Sequence, residues 1–262
     1  MVKIQVDDIQ INYESRGNGF PLLMIHGLSE NLLSWDPNLI QGLSEEYKLI
    51  LFDIPGSGNS GLPDKELSIR LLADETIRLL DVLGYTKVNV LGVSMGGMIA
   101  QELILNYAER IRKMVLCSTH CGRPKFVPPS LEVIQQINQE ELSPQEMIKN
   151  ILKALFSEKF LKENPDYVQD YINRRFSIPI SKEGLMEQQK ASMSFSSCDR
   201  LHSIKSPILI LHGKKDIMVP PQNASILAEI IPNSKLRYLE NSAHFLAEEV
   251  DQLLKYISDF LK

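Results

Sequence analysis

The sequence predicts an α/β fold: a mostly parallel sheet flanked by helices and carrying one helical insertion. Three observations predict it. Strand-like apolar runs alternate with helix-period patterns from Leu49 to Leu116, strand signals vanish between about Cys121 and Ser203, and the alternation resumes at Pro207. At 262 residues the chain is long enough for one large core with an elaboration. Its 44% hydrophobic and 23% charged residues are those of a globular domain that folds without a partner.

Runs at residues 3–6, 9–14 and 22–25 read as strands, with Gly17-Asn18-Gly19 turning the chain between the last two in an antiparallel start. There follow a strand at 49–52, a helix at about 69–83, a strand at 88–93, a helix at 95–107 and a strand at 114–116. Within the insertion, Ser143-Pro144-Gln145-Glu146 is a capping box with proline at the first helical position. Met147, Ile148, Ile151, Leu152, Leu155 and Phe156 then share one helical face, and Asn164-Pro165 starts another helix. A strand at 207–211, a helix at about 221–230, a strand at 236–239 and a last helix complete the pattern. In that helix Val250, Leu253, Leu254, Ile257, Phe260 and Leu261 form one stripe.

The net charge of −5, without basic clusters interleaved with aromatics, disfavours nucleic acid as a partner. No apolar run approaches the roughly 18 residues of a membrane span, and the start has no leader-like apolar region, so no membrane partner and a cytoplasmic location are expected. Cys117, Cys121 and Cys198 fit neither an even disulfide framework nor a zinc spacing. Cys117 and Cys121 could hold a metal only if His120 and another ligand converged, so buried free thiols, and no metal, are the expectation.

Ser94 stands in Gly92-Val93-Ser94-Met95-Gly96, between an apolar run and a helical pattern. A serine at so sharp a strand-to-helix turn needs a strained backbone and flanking positions without side chains, which the glycines supply. The turn lifts the hydroxyl above the sheet edge, and the next helix aims its free N–H groups at an oxyanion formed there. A serine hydroxyl also needs a base, and usually a carboxylate behind that base. Asp216 follows the strand at 207–211 and His244 follows the strand at 236–239, which puts both in loops at the carboxyl edge of a parallel sheet, where Ser94 lies. An oxyanion hole takes two backbone N–H groups: that of Met95, next to the nucleophile, and that of Leu28 in His26-Gly27-Leu28.

Taken singly, these residues have plainer readings. Asp216 beside Lys214 and Lys215 reads as a solvated charge; His26 and His212 read as structural, and His120 and His202 as noncatalytic. Trp35 either lines a substrate pocket or packs. Arg123, Arg174 and Arg175 suit a substrate carboxylate, although a solvated face is preferred for them. Met147, Phe156, Tyr167, Tyr171, Phe176, Met186, Met193 and Phe195 either wall an apolar cavity or, for most of them, pack the insertion on the core. Residues 53–60 read as a tight loop bordering the site and lack the lysine of a phosphate-binding loop.

The chain resembles the α/β-hydrolase superfamily from end to end, in His26-Gly27-Leu28, Asp53-Ile54-Pro55-Gly56-Ser57-Gly58-Asn59-Ser60, Gly92-Val93-Ser94-Met95-Gly96-Gly97, Gly213-Lys214-Lys215-Asp216 and Ser242-Ala243-His244-Phe245. Residues 94–101 are similar to small microbial carboxylesterases and 3-oxoadipate enol-lactonases. The resemblance implies a mostly parallel sheet of about eight strands with an inserted helical cap. The core spans 1–120 and 204–262, the cap 121–203. It also implies catalytic residues in the order Ser94, Asp216, His244. Ala243 departs from the family's frequent Gly-His pair, and serine at 94 argues against the dehalogenase branch, which has aspartate there. The expected function is a serine hydrolase cleaving small carboxylic esters through an acyl-enzyme, with no cofactor. An enol-lactonase or carbon–carbon bond hydrolase using the same site is the alternative, and a noncatalytic ligand receptor the more distant one. The expected partner is a small-molecule ester or lactone, and the sequence carries no signal for oligomeric state.

Overall fold

The computed structural model describes residues 1–137, 142–178 and 180–262. Among the described residues the strands are β1 (Val2–Val6), β2 (Ile9–Arg16), β3 (Phe20–Ile25), β4 (Tyr47–Phe52), β5 (Val88–Val93), β6 (Ile111–Cys117), β7 (Ile208–Gly213) and β8 (Ser234–Leu239). They form one sheet in the order β1-β2-β4-β3-β5-β6-β7-β8. From β4 onward every neighbouring pair is parallel, while β1–β2 and β2–β4 are antiparallel. The turn at Gly17 and Gly19, with φ of 72° and 108°, therefore does not close a hairpin, because β4 lies between β2 and β3. The reason is burial on two faces. Leu22 to Ile25 are apolar at every position, which suits the covered centre of a parallel sheet, whereas β2 exposes Gln10 and Arg16.

The period of two along each strand divides the core. Leu23 and Ile25, with Ile50 and Phe52, face one side; Leu22 and Met24, with Leu49 and Leu51, face the other. The helices are α1 (Pro37–Glu46), α2 (Ile69–Val82), α3 (Met95–Asn106), α4 (Leu131–Ile137), α5 (Pro144–Leu155), α6 (Glu158–Glu163), α7 (Pro165–Phe176), α8 (Lys182–Ser194), α9 (Gln222–Ile230) and α10 (Val250–Leu261). α2, α3 and α9 cover the first side, α1 and α10 the second. Caps fix their starts: Asp36 accepts from Leu39 N–H at α1, Ser68 from Leu71 N–H at α2, and Ser143 with Glu146 forms the expected reciprocal box at α5. No helix among the described residues is long and apolar enough to cross a membrane.

Helices α4 to α8 all belong to the segment between β6 and β7. Phe156 and Tyr171 of that segment meet Phe245 of the core edge-on, with ring centroids 5.4 and 5.0 Å away. The ends of the segment are stapled. Cys121 and Cys198 form a disulfide with Cα atoms 5.0 Å apart, which corrects the expectation of free thiols. A separation of 77 residues hid the pair; it appears only because Ser197 N–H donates to Cys121 O and Gly122 bridges Ser196 where the chain returns. Cys117 is a buried free thiol, pushed up to about 12 by that burial.

Candidate active site

Ser94 joins β5 to α3 with φ 54° and ψ −119°, a conformation that costs a side-chain-bearing residue about 1–3 kcal/mol. Hydrogen bonds hold it there. Its N–H donates to Cys117 O at 2.9 Å, and its own carbonyl accepts from Gly97 N–H at 2.9 Å and from the Thr119 hydroxyl at 2.7 Å. The glycines are needed for close approach, as expected. A Cβ on Gly92 would overlap the backbone of Gly96, and one on Gly96 would overlap the carbonyls of Ile25 and His26.

Asp216 and His244 stand where the alternation of strand and loop predicts, after β7 and β8. Asp216 is 3% exposed rather than solvated, and Lys214 turns instead to Glu240 at 2.8 Å. Every oxygen of the Asp216 carboxylate is used. Oδ1 accepts from the N–H groups of Met218 and Val219 at 2.9 and 2.8 Å, and Oδ2 from His244 Nδ1 at 2.8 Å and His212 Nε2 at 3.1 Å. Burial by itself would raise this carboxyl, but the neighbouring His244 and His212 outweigh it and hold the group at about 2. Because a carboxylate only accepts, Nδ1 of His244 carries the proton and Nε2 is left with a lone pair. The same logic puts the His212 proton on Nε2, which also donates to Val219 O at 2.8 Å. His212 is thus structural, as read from the sequence, and braces the carboxylate as well.

The loop after β3 lies against the serine: a Cβ on Gly27 would sit 3.3 Å from Ser94 Cβ. His26 braces this loop from inside, its Nε2 accepting from Ile54 N–H at 3.3 Å and its Nδ1 donating to Gly27 O at 3.0 Å. Burial lowers its pKa and keeps the ring neutral. Asp53 ties down both neighbouring loops through Leu32 N–H, Asn59 N–H and Asn12 Nδ2, at 2.7, 2.8 and 2.7 Å. Residues 53–60 are therefore a bracing loop, in line with the sequence reading. The N–H groups of Leu28 and Met95 have no protein acceptor among the described residues, and Met95 opens α3, so its N–H is one that a helix leaves unpaired.

Ser94, His244, Leu28 and Met95 line a cavity of about 700 Å³, a size ordinary for a small-molecule site. Trp35, Leu39, Leu253 and Ile257 wall it toward α1 and α10, and Met147, Met193 and Phe195 wall it from the inserted segment. Phe156, Tyr167 and Tyr171 pack on one another instead, and Phe176 and Met186 are exposed. The arginines divide. Arg123 is exposed in the cavity wall with no ion pair among the described residues. Arg174 pairs with Asp170 at 2.7 Å and donates to the carbonyls of Leu33 and Trp35. Arg175, for which a solvated face was expected, is 7% exposed and pairs with Glu30 in the cavity wall. Tyr171 adds a hydrogen bond to the same carboxylate at 3.1 Å.

Glu30 and Gln188, which escaped sequence reasoning, tie the inserted segment to the loop after β3. Gln188 accepts from Ser29 N–H at 3.0 Å and donates to Ser57 Oγ at 2.7 Å. No local pattern marks either residue, since their partners lie more than a hundred positions away. No group of three or more His, Cys, Asp or Glu side chains is placed to hold a metal ion among the described residues.

A family model described as the alpha/beta hydrolase fold matches residues 21–250. The chain is 32% identical over 244 residues to a poly(3-hydroxyalkanoate) depolymerase of Ectopseudomonas oleovorans, covering 92% of this chain and 84% of that protein. It is 29% identical to a 2-hydroxy-6-oxononadienedioate/2-hydroxy-6-oxononatrienedioate hydrolase of Pseudomonas putida, covering 97% and 92%. The crystal structure of an enol-lactonase from Burkholderia xenovorans LB400 superposes with a TM-score of 0.87 over 99% of each chain at 23% identity, a likeness of fold.

Proposed function

We propose, from the premise that this chain belongs to the α/β-hydrolase fold family, that it is a serine hydrolase cleaving small uncharged carboxylic esters. The observation that carries the reading is the strained Ser94 elbow sharing one cavity with a His244 whose Nδ1 is tied to Asp216. In this reading the Nε2 lone pair of His244 takes the Ser94 proton as Oγ attacks the acyl carbon. The Leu28 and Met95 N–H groups hold the oxyanion, and Asp216 steadies the imidazolium. His244 then protonates the departing alcohol, and the second half repeats the cycle with water in place of serine. Trp35 contributes apolar wall to the substrate, and residues 121–203 act as a cap on a core of 1–120 and 204–262.

The ester preference rests on charge. Relatives include a hydrolase named for a dioate, whose substrate bears carboxylates, but the buried cation of this cavity wall, Arg175, is already compensated by Glu30. A neutral ion pair offers little to a further carboxylate. The relative named for a polyester of hydroxyalkanoates agrees with ester chemistry. A lactone bearing a carboxylate is the second reading, favoured by the unpaired Arg123 at the wall.

Labelling with a fluorophosphonate, together with turnover of p-nitrophenyl esters of graded acyl length, tests the reading. Ser94→Ala should abolish the label and lower kcat by about 10⁵–10⁶. Undiminished turnover in that variant would overturn the assignment.

A further inference from the structure

His120 lines the cavity that holds Ser94 and His244, yet the mechanism above leaves it idle. Its backbone is fixed to the elbow: Thr119, the preceding residue, donates its hydroxyl to Ser94 O, and Gln101 Nε2 donates to His120 O at 3.0 Å. Its ring leans on Phe126, with centroids 4.0 Å apart. Nδ1 accepts from the backbone N–H of Gly122 at 3.0 Å. An amide N–H can only donate, so Nδ1 holds a lone pair and the neutral ring must carry its proton on Nε2. Burial, with His244 and His212 nearby, pushes the pKa down to about 4, so the ring is neutral near pH 7.

Nε2–H has no acceptor among the described residues, although the residue is only 9% exposed. His120 lines the cavity, so a donor with no protein acceptor on its ring is available to a ligand held there. A fixed donor in a largely apolar chamber is costly to leave unpaired when a ligand expels water. We infer that His120 Nε2–H recognises an uncharged acceptor oxygen of the substrate other than the carbonyl under attack, so that preferred substrates are esters bearing a hydroxyl, ether or keto oxygen. This rests on the serine-hydrolase reading. A neutral donor suits such an oxygen, whereas a carboxylate would call for a cation. Sites built to donate to a substrate oxygen discriminate strongly against analogues that lack it.

The test compares kcat/KM for p-nitrophenyl hexanoate, 3-hydroxyhexanoate, 3-methoxyhexanoate and 5-oxohexanoate in the wild type, His120→Phe and His120→Gln. Wild type should favour at least one oxygenated ester over hexanoate by about tenfold or more. His120→Phe should erase that preference, lowering kcat/KM for the oxygenated esters more than for hexanoate, and His120→Gln, whose amide both accepts and donates, should restore part of it. No preference in the wild type, or an equal loss on all four esters in His120→Phe, would sink the inference while leaving the hydrolase reading intact. If none of the four were turned over in a Ser94-dependent manner, the underlying reading would fall first and this inference with it. A measurement on the wild type alone guards against misfolded variants: ¹⁵N NMR of labelled histidine should find His120 protonated at Nε2, and protonation at Nδ1 would overturn the proposal.

Discussion

His212 and His244 converge on one oxygen: Oδ2 of Asp216 lies 3.1 Å from the Nε2 of the first and 2.8 Å from the Nδ1 of the second. Both imidazoles donate, and the other carboxylate oxygen is filled by two backbone N–H groups. The acid is thus surrounded by four donors, an arrangement only an ionised carboxylate can satisfy.

Asp216→Asn should accordingly be far more damaging than its size suggests. The Asn oxygen can keep the Met218 and Val219 N–H groups, which turns its NH₂ toward two N–H donors. Neither N–H then finds an acceptor on that atom: His212 keeps Val219 O, whereas His244 must break the contact or flip tautomer, which would put its proton on Nε2 and take away the lone pair proposed to accept the Ser94 proton. A fall in kcat of about 10⁴ is expected, with a lowered thermal midpoint because buried donors lose their acceptor. Steady-state kinetics beside a melting curve checks it, and a loss below tenfold would contradict it.

The Cys121–Cys198 pair closes a loop of 77 residues around the inserted segment. Chain entropy alone assigns such a closure about 4.5 kcal/mol. Cys121→Ser, Cys198→Ser and the double variant should show the same lowered urea midpoint, because each removes one shared bond. Structural disulfides persist in oxidising surroundings, so the wild type in a glutathione buffer reports whether the pair survives cytoplasmic conditions.

Stability should fall on mild acidification. His120 has a folded pKa of about 4, below the ~6.5 of a free histidine, so between these values the unfolded chain binds more protons. The loss is spread from pH 6.5 down to pH 4 and reaches about 3 kcal/mol. His26 shifts in the same direction and adds to it. Asp216, held at about 2, contributes stability that is present above about pH 4 and disappears as pH falls toward 2. Urea midpoints at pH 7, 5.5 and 4.5 should decline in the wild type and decline less in His120→Gln; parallel slopes would refute the assignment to His120.

Glu30→Gln leaves Arg175 as a buried cation without its counter-ion. Removing one partner of such a pair costs about 3 kcal/mol or more. The variant should melt lower and, relative to wild type, turn over a hemiester of a dicarboxylic acid better against a neutral ester. An unchanged ratio of kcat/KM values would show that this arginine does not sense substrate charge.

What the sequence determined by itself was everything set by short-range rules. Period-two and helix-period patterns located the strands and most of the helices, though not α1 or α8, the paired glycines marked the strained turn at Ser94, and alternation of strand and helix placed Asp216 and His244 at one edge of a parallel sheet. Partnerships between distant residues were decided only by tertiary structure. β4 rather than β2 became the neighbour of β3, Cys121 met Cys198, Arg175 turned inward to Glu30, and His120 came to face the cavity. Neither member of such a pair leaves a mark near its own position, because what fixes it is desolvation and contact with a segment that arrives from far along the chain. Local periodicity reports the face an element buries, and packing alone determines what that face meets.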